Sequence, residues 1–122
     1  MNLPTPAADI SDRRYRRVPG PFDGWWLGVL PVAVHVRDLS AGGCLIQCYH
    51  EPTPGSRLSL ELDVPFLGAV TFTGDVLYVR RGYGFAVEFV DVPPALRVTL
   101  EDVATRLLRE MGPAANMQST TN

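Results

Sequence analysis

The sequence predicts a mainly β domain, an antiparallel barrel or sandwich that is followed by one amphipathic helix. Short segments with alternating apolar and polar residues occupy the chain from residue 22 to 89. Glycine- and proline-rich segments separate them, and the apolar spacing changes to three and four residues only near the C-terminus. Strands at turn spacing with the helical signal behind them are typical of this fold class. The length of 122 residues allows one hydrophobic core rather than two.

The first 21 residues have neither a helical nor a clear strand pattern. Residues 1–11 combine prolines with small residues, which predicts a flexible arm. The basic cluster Arg13-Arg14-Tyr15-Arg16-Arg17 follows, and it ends in Val18-Pro19-Gly20-Pro21. That segment is too rich in proline for a helix or a central strand. We therefore expect the arginines on an extended segment that enters a domain spanning residues 12–111.

Alternating apolar residues predict the strands of this domain. The pattern begins near Phe22, continues through Trp25 and Trp26, and then predicts strands at 32–37, 44–49, 58–64, 68–80 and 85–89. The two tryptophans are neighbours on one predicted strand, so we expect them on opposite faces with one in the core. Gly74 predicts a bend or bulge within the longest strand.

The helix is predicted by a change of period after the last strand. Pro93 and Pro94 suit a helix start, and Gly112-Pro113 suits its end. The apolar stripe between them consists of Leu96, Leu100, Val103, Leu107 and Met111. Such a stripe must be buried, either against the strands or against a second subunit, which leaves a homodimer open. Residues 112–122 are polar, and we expect a disordered tail.

Charge and hydropathy disfavour several classes of function. The net charge is −2, whereas proteins that hold long nucleic acids are normally basic, so DNA binding is not expected. No apolar stretch reaches the ~20 residues of a membrane helix, so we expect no membrane association. The N-terminus lacks the charged start and apolar centre of a secretory signal. We therefore expect a cytoplasmic protein.

The residues that usually carry catalysis or metal binding form no recognisable pattern. Cys44 and Cys48 would lie ~13 Å apart on a strand, too far for a disulfide, so buried packing is expected. Cys48 and His50 could share a strand face, but no second ligand pair has zinc-like spacing. No Ser-His-Asp arrangement or phosphate-binding loop is visible. We expect no enzyme, no metal site and no cofactor.

Two features are not explained by a β domain alone. One is the arginine cluster, with Arg13, Arg14, Arg16 and Arg17 within five residues; the other is the turn Asp38-Leu39-Ser40-Ala41-Gly42-Gly43. Guanidinium groups bind phosphates or the O6/N7 edge of guanine, and a carboxylate can accept from guanine's opposite edge. The simpler interpretation is a solvated basic segment beside a turn in which Asp and Ser bond local amides and glycines supply positive φ.

These residues give the chain a resemblance to the PilZ domain family. Arg13-Arg14-Tyr15-Arg16-Arg17 matches the family's RxxxR element, and residues 38–43 match its [D/N]xSxxG element in the same order. Residues 83–89 also resemble the family's closing strand, which a helix follows. The resemblance extends over about residues 12 to 110, and the two motifs together are far more specific than either one.

The resemblance implies a six-stranded antiparallel barrel that binds cyclic di-GMP and is not an enzyme. Its motif residues would be Arg13 and Arg17 on phosphates and guanine edges, Asp38 and Ser40 on a guanine base, and Gly43 leaving room for it. Arg14, Arg16 and Gly42 would complete the site. Binding would order the arm over the barrel, and an effector protein would recognise the resulting surface.

Asp12 precedes the RxxxR element, where family members that bind an intercalated ligand dimer carry another arginine. The resemblance therefore favours a ligand monomer, and a dimer would require Arg14 or Arg16 to take the place of that arginine. Two alternative functions remain. One is a PilZ-like scaffold that joins proteins without binding the ligand. The other is a small barrel that binds single-stranded nucleic acid through stacked aromatic residues in a basic groove.

Overall fold

The computed structural model describes residues 15–121, with side chains described from residue 15 to 112. Six antiparallel strands close into a barrel in the order β1-β2-β3-β6-β5-β4, with β4 pairing back onto β1. The strands are β1 Val18–Leu27, β2 Val32–Leu39, β3 Gly43–Gln47, β4 Arg57–Val64, β5 Gly68–Arg80 and β6 Gly84–Val90. The prediction of a mainly β, six-stranded antiparallel barrel with a C-terminal helix is confirmed. The predicted arm of residues 1–11 lies outside the described residues.

The barrel core follows the alternation seen in the sequence. In β4, Leu58, Leu60, Leu62 and Val64 are buried, whereas the residues between them face outward to differing degrees. On the adjacent strands β5 and β6 the Phe72 and Phe89 rings stack at 4.2 Å between centroids. Each large apolar side chain that is fully buried contributes about 1.5–3 kcal/mol. The core therefore sets the strand register, because a shift of one residue would expose every inward side chain.

The two tryptophans point to opposite faces of β1, as predicted. Trp26 packs edge-on against Phe85 with 5.4 Å between ring centroids, whereas Trp25 is 47% exposed. The prediction that β1 begins near Phe22 is wrong, since the strand already begins at Val18. Val18 and Pro19 pair with β2, whereas the pairing with β4 covers only Gly24–Leu27, and the register shifts between Pro19 and Phe22. Proline is tolerated here because this end of β1 has one partner strand and an irregular register.

The longest strand, β5, has the predicted bounds but not the predicted irregularity. Its register with β6 shifts between Val76 and Tyr78, not at Gly74. Gly74 has another reason to be glycine: a Cβ there would lie 2.2 Å from Cγ1 of Val87 on β6. Gly74 thus permits the close approach of β5 and β6 and does not introduce a bend in β5.

The helix α1, Pro94–Thr121, packs against the barrel. Leu100 and Val103 are buried within the core cluster, so the barrel covers the centre of the predicted apolar stripe. Met111 departs from the prediction because it is 37% exposed, and its neighbours Arg109 and Glu110 are exposed too. The last turn before Gly112 has therefore left the barrel surface. Within residues 15–121 no helix combines the length and apolarity that a membrane crossing requires.

Gly112 interrupts the helix where its end was predicted, with φ 65° and ψ −163°. Helical backbone then resumes and reaches Thr121, which differs from the disordered tail expected for residues 112–122. A proline is compatible with the first position of a new helical segment, and Pro113 occupies that position. The alanines that follow favour helix more than other residue types do.

Candidate ligand-binding site

The turn between β2 and β3 is built around the buried hydroxyl of Ser40. Ser40 is 6% exposed, and its Oγ accepts from the amide N–H groups of Gly42 at 3.1 Å and Gly43 at 3.2 Å. Its own amide donates to the Gly43 carbonyl at 2.9 Å. The Gly42 carbonyl accepts from the Phe89 amide at 2.9 Å, which ties the turn to β6. Ser40 therefore fixes the shape of this turn through local hydrogen bonds.

The two glycines of the turn are required by crowding. Neither has a positive φ, so the interpretation that they supply left-handed backbone is wrong. A Cβ on Gly43 would lie 2.3 Å from the Val87 carbonyl oxygen on β6, and one on Gly42 would lie 2.8 Å from the Tyr15 ring. Gly43 thus lets β3 approach β6, and Gly42 lets the segment before β1 lie on the turn.

Arg17 and Asp38 face each other across the first pairs of β1 and β2. The Pro19 and Asp38 Cα atoms are register partners, so Arg17, two residues before Pro19, reaches the carboxylate from the strand entrance. Its Nη2 contacts Asp38 Oδ2, and its Nε lies 3.4 Å from Oδ1. The side chains are 37% and 21% exposed. The two charged groups are therefore paired yet accessible to a ligand from solvent.

The predicted site residues divide into those brought together and those not described. Arg17, Asp38, Ser40, Gly42 and Gly43 come together at the end of the barrel where β1 begins and β2 ends. Arg16 adjoins them and is exposed. Arg13 and Arg14 lie outside the described residues. The tertiary structure thus joins the two motifs, which are about twenty residues apart in the sequence.

Sequence reasoning missed the helix residues that border this site. The amide of Arg16 donates to Glu101 Oε2 at 2.9 Å, and Arg97 Nη1 donates to the Tyr15 hydroxyl at 2.5 Å. The guanidinium carbon of Arg97 also lies 5.2 Å from the centroid of the Tyr15 ring. A spacing of four residues places Arg97 and Glu101 on one helix face, which was visible in the sequence. Nothing in the sequence indicated which segment they contact.

The two cysteines are buried free thiols, in agreement with the packing role predicted for them. Burial raises the pKa of the Cys44 thiol, and the negative charge of Asp38 raises it further. Cys48 and His50 do not lie on a common strand, because β3 ends at Gln47; Cys48 is buried and His50 is exposed. Within residues 15–112 no three His, Cys, Asp or Glu side chains are grouped to hold a metal ion.

Fold and site together define a small antiparallel barrel domain with an Arg–Asp pair and a Ser–Gly turn at one end, bordered by a C-terminal helix. The PilZ domain profile matches residues 12–106 of this chain, which include both motifs. The chain therefore belongs to the PilZ domain family. A comparison with curated protein sequences gives no significant match.

Solved structures that share the fold include two of YcgR and one of MotI/DgrA. YcgR from Escherichia coli in complex with c-di-GMP has a TM-score of 0.72 and 22% identity, over 87% of this chain and 50% of that chain. The PilZ domain of YcgR with c-di-GMP has a TM-score of 0.70 and 19% identity, over 86% of this chain and 98% of that one. The Bacillus subtilis inhibitor of motility, MotI/DgrA, has a TM-score of 0.73 and 14% identity, with coverages of 82% and 53%. The chain thus spans about half the length of the first and third proteins.

Proposed function

We propose that this chain is a cytoplasmic receptor that binds cyclic di-GMP at the barrel end formed by Arg17, Asp38 and the Ser40 turn. The observation that carries the proposal is the accessible Arg17–Asp38 pair beside that turn. A guanine nucleotide offers both groups a new partner. Its phosphates or O6/N7 edge suit the arginine, and its N1–H and amino group suit the carboxylate. Family membership and the c-di-GMP complexes of YcgR add support.

Binding in this proposal is an exchange of partners. Arg17 and Asp38 satisfy each other before the ligand arrives, so neither charge lies without a partner. The ligand separates them and supplies an acceptor to one and donors to the other. The cost of breaking the pair is modest, because ion pairs exposed to this degree are worth about 0–1 kcal/mol. Ser40 already bonds two amides, so its first role is to hold the turn in shape.

The remaining arginines of the RxxxR segment complete the proposed site. Arg13 is the second motif arginine, and Arg14 and Arg16 add positive charge for the phosphates. Ordering of the arm that carries Arg13 and Arg14 over the barrel end would create a surface for an effector protein, and we assign the output of the receptor to that contact. We expect one ligand molecule per chain, because Asp12 stands where an additional arginine would support a ligand dimer.

A second candidate function is a scaffold that binds proteins without the ligand. The observation in its favour is an apolar surface at the opposite end of β1 and around the loop after β3. Val29 is 100% exposed, Tyr49 is 94% exposed and Leu30 is 81% exposed. Exposed apolar residues that are grouped often mark protein contacts. This function and the receptor function differ in one measurable property, the affinity for cyclic di-GMP.

Calorimetric titration with cyclic di-GMP tests the proposal, with GTP and cyclic di-AMP as ligand controls. We expect micromolar or tighter binding with one ligand per chain. Arg17→Ala should weaken it about ten- to a hundredfold, as expected for the loss of a charged bidentate contact. Arg37→Ala is the matched control, since Arg37 is an exposed neighbour of Asp38 bonded only weakly to Gln47 at 3.4 Å. No binding by the unaltered chain would reject the receptor and favour the scaffold.

A further inference from the structure

Helix α1 contacts Tyr15 and Arg16, the residues that directly precede Arg17. Arg97 contacts Tyr15 in two ways, through the hydrogen bond from Nη1 to the hydroxyl and through its position over the ring. The Arg97 Nε is buried without a hydrogen-bond partner. The Arg97 side chain is therefore partly withdrawn from solvent where it lies against Tyr15. The hydrogen bond and the ring contact together hold Tyr15 against the helix.

Glu101 makes the second contact, one helical turn further along. Its Oε2 accepts from the backbone amide of Arg16 at 2.9 Å, so it fixes main chain and not only a side chain. Between the two residues, Leu100 is 3% exposed and belongs to the barrel core. Arg97 and Glu101 thus stand on a helix face that is anchored to the barrel. We call these two residues the helix latch.

The helix latch fixes the backbone from which Arg17 projects. Arg16, on its N-terminal side, is bonded to Glu101, and Val18, on its C-terminal side, is 3% exposed and paired with Leu39. Tyr15 lies on Gly42, so the same segment is also in contact with the Ser40 turn. Arg17 is therefore held between fixed neighbours. Ordering a residue on binding costs free energy, and a residue ordered in advance avoids that cost.

We propose that Arg97 and Glu101 are positioning residues of the ligand site, which hold Tyr15 and Arg16 on the barrel and thereby place Arg17 for the ligand. The effect on affinity rests on the proposed cyclic di-GMP function. The contacts of Arg97 and Glu101 with Tyr15 and Arg16 do not depend on that function, because they are present in the ligand-free chain. Helix α1 is in this way part of the site, although it carries neither sequence motif.

Affinity for cyclic di-GMP in latch variants is the first test. Arg97→Met, Tyr15→Phe and Glu101→Ala should each weaken binding about three- to tenfold, the effect of losing one hydrogen bond that orders the segment. Tyr15→Phe removes the hydroxyl without changing the charge of the protein. A loss of affinity in this variant therefore cannot arise from a change in electrostatic attraction for an anionic ligand. Glu101→Gln should restore affinity, because the amide oxygen still accepts from Arg16. Unchanged or tighter binding in Arg97→Met and Tyr15→Phe would overturn the proposal.

Matched controls come from the same helix, away from the site. Arg106 lies 3.8 Å over the Phe66 ring and pairs with Glu110, so it repeats the cation–ring contact of Arg97 in an exposed position. Arg106→Met and Glu110→Ala should leave the affinity unchanged. An equal loss in these controls would show a general effect of helix charge and would overturn the positioning role.

Amide hydrogen exchange in the ligand-free chain is the second test and needs no ligand. The Arg16 amide should be protected in the unaltered chain and in Glu101→Gln, and should exchange at least tenfold faster in Glu101→Ala. The Phe89 amide, which is bonded to Gly42 instead, should stay protected in all three. Equal exchange at Arg16 in the unaltered chain and Glu101→Ala would overturn the latch. If the unaltered chain did not bind cyclic di-GMP but its Arg16 amide was protected, the proposed receptor function would be rejected. The proposal that Glu101 holds Arg16 on the barrel would still be supported.

Discussion

Replacement of Ser40 by alanine tests the structural role of the motif serine. The Ser40 hydroxyl is the acceptor for the amides of Gly42 and Gly43. Ser40 and Gly43 are both buried, so water cannot readily replace the lost acceptor. We therefore expect Ser40→Ala to destabilise the fold even without a ligand.

The magnitude follows from the two amides that lose their side-chain acceptor. A buried donor left without a partner costs about 1–3 kcal/mol, and the less buried Gly42 amide adds little. For a domain of this size 1 kcal/mol corresponds to about 4 °C in Tm, so we expect Tm to fall by about 4–12 °C. Urea denaturation and thermal unfolding monitored by circular dichroism measure both quantities. Ser56→Ala is the matched control, because the Ser56 hydroxyl bonds the Thr53 carbonyl in an exposed turn.

The control should change the free energy of unfolding by less than about 0.5 kcal/mol. If Ser40→Ala were as stable as Ser56→Ala, the turn would not depend on the serine, and the reasoning from its hydrogen bonds would be refuted. The same variant informs the binding test. A domain with about 5–15 kcal/mol of stability remains almost fully folded after a loss of 3 kcal/mol. A fall in affinity at 25 °C would then come from the turn or from a ligand contact, and not from unfolding.

Three further predictions concern buried groups of the barrel. Gly43→Ala should destabilise the fold by about 1–3 kcal/mol in urea denaturation, because its Cβ would overlap the Val87 carbonyl, whereas Gly28→Ala has no atom within 4 Å and should be neutral. Equal midpoints for the two variants would contradict the crowding argument. Cys44 and Cys48 should react with a thiol reagent far faster in denaturant than in the native state. Because burial raises the pKa of the Cys44 thiol, this group contributes stability below the ordinary thiol pKa of about 8.5, and the contribution is lost as pH rises toward the pKa of the folded state. Cys44→Ala should therefore lack this loss of stability at alkaline pH. An identical dependence of stability on alkaline pH in the variant would refute the prediction.

Local pattern was sufficient for most of the strands. The alternation in β4 and β5 predicted their bounds closely, because a strand with one buried face must alternate. The entrance of β1 was predicted wrongly, since the proline rule assumes two partner strands and Val18–Pro19 has one. The strand pattern in the sequence also did not distinguish an antiparallel barrel from a sandwich. Closure depends on β1 pairing with β4 and β3 with β6, and such pairings depend on the twist and stagger of the whole sheet.

For the candidate site, the sequence predicted which residues belong together but not how they contact one another. The sequence identified Arg17, Asp38 and Ser40 as one group by motif and order. Their contacts were not predictable, because the Arg17–Asp38 pair depends on the register of β1 with β2. The crowding at Gly43 was hidden for a similar reason, as the atom that excludes a Cβ belongs to Val87 on another strand.

The sequence by itself determined the class of fold, the order of the strands and helix, and the two motifs that place the chain in the PilZ domain family. Its information is local, in the form of periodicity, turn residues and spacing. Only the tertiary structure decided which charges are paired at the barrel end and that Arg97 and Glu101 of α1 hold the segment before β1. The two helix contacts join residues more than eighty positions apart, and their partners depend on how the helix packs on the closed barrel.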